Sequence, residues 1–196
     1  MPIDLLLALF GFALASACTP GPNNTMLLAS GANFGFRRTL PHMAGVAFGF
    51  PLMVLAMGLG LSAVFEALPT LAAILKAVSF AYLLYLAWKI ATAAPPEEGA
   101  EKGRPLSFFQ AAAFQWVNPK AWAIALSVVA AYGAQDLPML LGIALIFAIA
   151  GCVSTTGWTV IGQQATRLLS SRRRLVLFNR TMAVLMVASL IPAMLG

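Results

Sequence analysis

Six apolar stretches, each long enough to cross a bilayer, fill almost the whole of this chain and leave it little else to fold with. They run over about residues 2–36, 40–65, 68–88, 106–132, 137–161 and 175–195. A crossing needs roughly 20 apolar residues, because the hydrocarbon core is about 30 Å thick and a helix rises about 1.5 Å per residue. Only 9% of the 196 residues are charged and 61% are hydrophobic. A soluble globule cannot be covered with so little polar surface. The expected fold is an all-α integral membrane protein, with residues 1–196 forming a single transmembrane domain. There is no room beside it for a soluble catalytic domain, and no enzyme activity is expected.

The net charge of +6 raises the question of nucleic acid. The basic residues argue against such a partner, because they sit between apolar segments and not on an aromatic-rich soluble face. Arg37 and Arg38 lie between segments one and two. Lys89, Lys102 and Arg104 surround the junction of three and four, and Arg167, Arg172, Arg173 and Arg174 that of five and six. The opposite junctions carry Asp4, Glu66 and Asp136. The positive-inside rule makes the basic side cytoplasmic and both termini external. Residues 5–17 are apolar and end in small residues before Cys18, loosely like a lipoprotein cleavage site. Residues 1–17 contain no Lys or Arg, however, so the stretch is expected to stay as the first crossing.

Three cations fall within or beside the apolar segments: Lys76, Lys120 and Arg180. Lys76 and Arg180 can snorkel to an interface. Lys120 lies deep in segment four, where a charge costs several kcal/mol unless it faces an interior or a watery cavity.

The polar, Pro/Gly-rich stretch 93–105 (AAPPEEGAEKGRP) divides the chain into pseudo-repeats of about 1–92 and 106–196. Three segments per half make the second half enter from the opposite side, a 3+3 inverted repeat. Each half is interrupted in its first segment. The first reads Thr19-Pro20-Gly21-Pro22-Asn23-Asn24 and the second Gln115-Trp116-Val117-Asn118-Pro119-Lys120. Thr19 and Asn118 are placed to cap new half-helices, with Pro20 and Pro119 at their first positions. Such starts offer free N–H groups and a positive dipole end to an anion. Asn23, Asn24, Thr25 and Gln115 would bind the rest of a small polar solute, with Lys120 near its carboxylate. A lone proline kink is ordinary in a membrane helix. Matching interruptions in both halves point instead to a transport site.

The run 19–24 resembles the signature of the lysine exporter (LysE/RhtB-type) family of amino-acid exporters. Agreement extends to Gly35-Phe36-Arg37-Arg38, to Gly45 with Gly49, to the stretch 82–89 (YLLYLAWK) and to the stretch 114–120 (FQWVNPK), so it covers nearly the whole chain. Within that family the chain is most similar to the branch that exports cysteine and O-acetylserine. The resemblance implies proton-coupled efflux of small neutral amino acids or derivatives, cysteine/O-acetylserine-like or threonine/homoserine-like, across the bacterial inner membrane. Many relatives carry Asp after Pro-Gly-Pro. Asn23 stands there in this chain, which removes one proton carrier and leans away from cationic substrates.

Other residues admit two readings. Tyr82, Tyr85 and Trp88 share a helical face and could line a cavity, as could Trp116; packing or interfacial anchoring is the simpler account. Interfacial packing is likewise the simpler reading of His42, with a proton relay as the alternative. The pairs Gly31/Gly35 and Gly45/Gly49 permit close helix approach, within the chain or in a homodimer. Cys18 and Cys152 suggest a membrane thiol–disulfide carrier as a different class. Two single cysteines in non-matching segments make a poor redox pair, and a passive small-solute channel is the third option. No phosphate loop, metal-ligand cluster or catalytic triad is present in the sequence, so no cofactor and no metal are expected.

Overall fold

Lipid cannot hydrogen-bond a peptide group, so an apolar chain in a bilayer must satisfy its backbone internally, and helices do so. The computed structural model describes residues 2–92, 103–132, 137–165 and 171–189, and these are helical with short connections. Most of the loop 93–105, with Asp136 and Arg167, lies outside the described residues. The order is α1 (Ile3–Cys18), α2 (Pro22–Phe34), α3 (Phe36–Ala56), a π turn (Met57–Leu61), α4 (Ser62–Ala67), α5 (Pro69–Ala91), α6 (Phe108–Phe114), a 3-10 turn (Gln115–Val117), α7 (Pro119–Tyr132), α8 (Leu137–Ala165) and α9 (Arg172–Ala188).

Three helical stretches are long and apolar enough to cross a membrane: Phe36–Phe65, Ala73–Ala91 and Leu137–Ala165. The pair α1 and α2 makes a fourth, bent by 57° at its break. This is a multi-pass membrane architecture. Large apolar side chains such as Leu52, Leu59, Leu145 and Val184 are exposed, as a lipid-facing surface requires.

The core lies where α8 packs on α1, α2 and α3. Small residues set how near the helices come. A Cβ on Gly31 would overlap the backbone of Thr159, and one on Gly162 the backbone of Leu28, so α2 and α8 meet backbone to backbone. Gly45 and Gly49 do the same for α3 against Phe108 and Ala112 of α6. These glycines are therefore spent within one chain. Gly35 is different: it has open space around it and φ of +79°, and it reverses the chain between α2 and α3.

The basic junctions are tied together. Arg38 donates to the Gly103 carbonyl (3.1 Å), and the Phe36 N–H donates to Gln163 Oε1 (3.0 Å). The α2–α3 turn, the start of the α6 strand of chain and the far end of α8 thus gather at one end of the bundle. Lys76 and Arg180 are exposed.

Candidate functional site: two helix breaks around one cavity

The first break begins where α1 runs out at Cys18. Pro22 excludes the helical conformation from the residue before it, and Gly21 is fully extended (φ 179°, ψ −177°). The new helix therefore starts at Pro22, not at Pro20. Thr19 closes α1 and does not cap α2: its hydroxyl donates back to the Ala15 carbonyl at 2.6 Å. That corrects the sequence expectation for Thr19 and Pro20, which overlooked the second proline.

A helix that ends inside a bundle exposes carbonyls that need donors. Here other helices supply them. Asn24 Nδ2 donates to the carbonyls of Ala17 and Thr19, each at 2.8 Å. Ser154 Oγ of α8 donates to Ala17 at 2.7 Å. Lys120 Nζ of α7 donates to Thr19 at 2.6 Å. The ammonium thus sits at the negative end of the α1 dipole, where a cation is favoured.

The second break follows the sequence expectation more closely. A 3-10 turn ends at Asn118, whose Oδ1 accepts the Lys120 N–H (3.2 Å), with Pro119 as the first residue of α7. Gln115 is fully buried and its Nε2 donates to Ala111 O (2.9 Å).

The two breaks meet across 92 residues of chain. Asn23 Nδ2 donates to Gln115 Oε1 at 2.8 Å, and Gln115 Nε2 donates to Asn23 Oδ1 at 3.2 Å. Beside this amide pair lies a cavity of about 70 Å³. One water needs only about 10–15 Å³ on the same measure, so the space suits a small solute with water. Its polar side is Ser16, Gly21, Asn23, Asn24, Gln115, Asn118, Lys120, Ser154 and Thr155. Its apolar side is Val46, Ala47, Phe50, Ala121, Ile124 and Phe147. At Gly21 a Cβ would stand 2.9 Å from Lys120 Cδ, so the lysine side chain passes directly over this glycine.

The sequence-derived binding residues therefore converge, with distinctions. Gly21, Asn23, Asn24, Gln115, Asn118 and Lys120 line the cavity. Pro22 and Pro119 start the two half-helices, and Thr19 contributes its carbonyl. Pro20 is exposed, with its carbonyl 3.5 Å from Lys120 Nζ. Tyr82, Tyr85 and Trp116 do not line the cavity. Tyr82 packs on Phe114, Tyr85 is exposed beside Trp88, and Trp116 stacks edge-on with Trp122, whose Nε1 donates to the Trp116 carbonyl (2.8 Å). Their helical spacing fitted an aromatic face, but that face turns to packing and to the outside. Cys18 and Cys152 are free and exposed, and neither lines the cavity. Sequence reasoning missed Ser154 and Thr155. The signal was available: Ser154-Thr155-Thr156 is a polar run within a strongly apolar helix.

Chemically the site offers hydrogen-bond donors and acceptors, one ammonium, and no acidic side chain among its lining residues. It can hold a small polar molecule with an anionic group and a short apolar part.

The sequence belongs to a known class of membrane carriers. The family model of LysE type translocators matches residues 14–191, and the chain belongs to that family. It is 34% identical over 192 residues to the cysteine/O-acetylserine efflux proteins of Escherichia coli (strain K12) and Shigella sonnei (strain Ss046), covering 95% of this chain and 96% of each relative. The protein of the same name from Shigella flexneri serotype 5b (strain 8401) is 34% identical over 188 residues, 93% of this chain and 94% of its own. No solved structure matches. The chain is an exporter of the amino-acid translocator type and not a soluble protein.

Proposed function

We propose that the chain is a secondary transporter that exports small neutral amino acids or their derivatives across the bacterial inner membrane, coupled to protons. Its substrates are cysteine- and O-acetylserine-like, as the names of its relatives suggest, with threonine- or homoserine-like molecules next. The observation that carries the reading is the meeting of two helix breaks at one cavity. The substrate's carboxylate lies towards Lys120 and the starts of α2 and α7, where N–H groups lack intrahelical partners. Asn23, Asn24 and Gln115 bind its polar edge, and the apolar wall takes its short side chain.

Two pseudo-repeats, about 1–92 and 106–196, rock about this site to open it alternately. Six crossings in 3+3 inverted order are supported by the packing: α1 lies on α8 as α6 lies on α3, while α3 pairs with α8 and α5 with α9. Exchanging the halves returns these four pairs, whereas the packing of α2 on α3 and α9 has no equivalent at α7 among the described residues. The gathering of Arg38, Gly103 and Gln163 at one end supports a cytoplasmic basic face, with both termini external.

The test is transport of labelled cysteine, O-acetylserine, threonine, homoserine, leucine and lysine in proteoliposomes, with and without a pH gradient. Gradient-dependent accumulation of a neutral amino acid is expected. Equilibration without accumulation would make the protein a channel. No movement of any substrate, with orientation verified, would sink the exporter reading and make thiol exchange at Cys18 and Cys152 the next assay.

A further inference from the structure

His42 is the only histidine in the chain, and it is buried inside the bundle, its side chain 2% exposed. Neither Nδ1 nor Nε2 has a hydrogen-bond partner among the described residues. Thr159 Oγ1 is buried in the same condition. Buried polar atoms are almost always partnered, so each exception calls for an explanation.

Position supplies one. On α3, His42 is one turn from Val46, which lines the cavity, and one turn the other way from Thr39. The Thr39 hydroxyl is 2.9 Å from that of Ser30 on α2. On α8, Thr159 is one turn beyond Thr155, which also lines the cavity, and its backbone meets Gly31 beside Ser30. Both unpartnered groups therefore sit one step from the cavity towards the basic end, on two helices that pack against α2. Ser30 and Thr39 are thus flanked by one buried polar group on α3 and one on α8, in otherwise apolar surroundings.

Chemistry narrows the role further. Asp4 and Glu66 lie near the ends of α1 and α4, and the other carboxylates are Glu97, Glu98, Glu101 and Asp136 in the inter-segment stretches. Among the described residues no carboxylate lines the cavity. The elements packed against α3 are α2, α6, α7, α8 and the two turns. Among them the titratable side chains are Lys120 and Tyr132 on α7 and Cys152 on α8. Lys120 is committed to the Thr19 carbonyl, and Cys152 is exposed on the outside. Arg37 and Arg38 of α3 itself are exposed at the basic end. Imidazole is the one group in this set that ordinarily changes charge near neutral pH.

Building on the exporter reading above, we propose that His42 is the proton-carrying residue of this transporter. Its unprotonated ring nitrogen takes one proton from water when the cavity opens away from the basic end. The imidazolium returns that proton to water when the site opens towards the basic end, and the amino acid moves the opposite way.

The experiment compares wild type, His42→Gln and His42→Asn in proteoliposomes with two readouts. Substrate exchange at equal pH requires no net proton movement, whereas accumulation does. Exchange within about twofold of wild type, with accumulation reduced about tenfold or more, is the expected result. Accumulation retained by either variant overturns the assignment and leaves the exporter reading standing. Loss of exchange together with accumulation in both folded variants makes His42 a packing residue and also overturns it. Wild type that neither exchanges nor accumulates sinks the exporter reading itself. If both variants fail to fold, the nitrogen NMR signal of histidine-labelled wild type decides, since one histidine gives one imidazole. A signal that titrates between about pH 5 and 8 and moves on adding cysteine supports the role; one fixed across that range removes it.

Discussion

The two helix breaks do the same job with different means of support. The second is largely self-sufficient: Asn118 caps the helix that follows it, and Gln115 bonds its own preceding turn at Ala111. The first has two prolines and an uncapped Gly21, and its stranded carbonyls are held by Asn24, Ser154 and Lys120. The helices that follow also differ. α2 is seated on α8 through Gly31 and Gly162, whereas α7 contains no glycine and touches its counterpart α3 far less. A break that depends on distant donors can be released by moving those helices, and one that caps itself keeps its shape. If the halves rock as proposed, the first break is the one expected to change its bonding.

The largest test of that contrast is Gly31→Val. The added side chain meets the Thr159 backbone, which cannot yield without moving α8. Overpacking of this kind costs about 1–3 kcal/mol or more, and we expect a lowered midpoint in thermal unfolding in detergent and loss of transport. Ala123→Val on the exposed face of α7 is the control and should leave both unchanged.

Next is Lys120→Met. It lies in the second half of the chain but removes a donor from the first break. Loss of a hydrogen bond to a charged group is worth about 1.5–3 kcal/mol, so unfolding should shift and substrate exchange should fall about tenfold or more. Wild-type exchange by this variant would show that Thr19 does not need the ammonium and that Lys120 does not serve the substrate.

The smallest effect is the coupling between the breaks. A double-mutant cycle with Asn23→Ala and Gln115→Ala should give an interaction energy of about 0.6 kcal/mol, the average for such bonds between membrane helices. A coupling of zero in unfolding measurements would mean that the amide pair does not join the halves.

Much of this was readable in the residues. Apolar length set the helices, because the bilayer accepts little else, and proline marked both breaks, although Pro41 and Pro51 sit inside α3 without ending it. The start of α2 was misjudged by two residues, since Pro20 and Pro22 compete and the later one decides. Lys120 was legible as an interior cation, because its charge must find partners. Its actual partner, the Thr19 carbonyl, was not, because no local pattern tells which helix end a long side chain reaches.

The remaining facts belong to the tertiary structure alone. Ser154 and Thr155 count as site residues only once α8 lies against the end of α1. The aromatic stripe of Tyr82 and Tyr85 left cavity lining and packing both open, since helical period fixes which residues align but not what they meet. The same holds for His42, whose lone place in the sequence gave its chemistry while its burial beside the cavity came from packing. The sequence by itself determined a helical membrane chain broken at two proline-containing stretches. Only the packing of α8 against α1, α2 and α3 decided that both breaks share one cavity, because contacts between residues 92 positions apart depend on helix placement and not on any local preference.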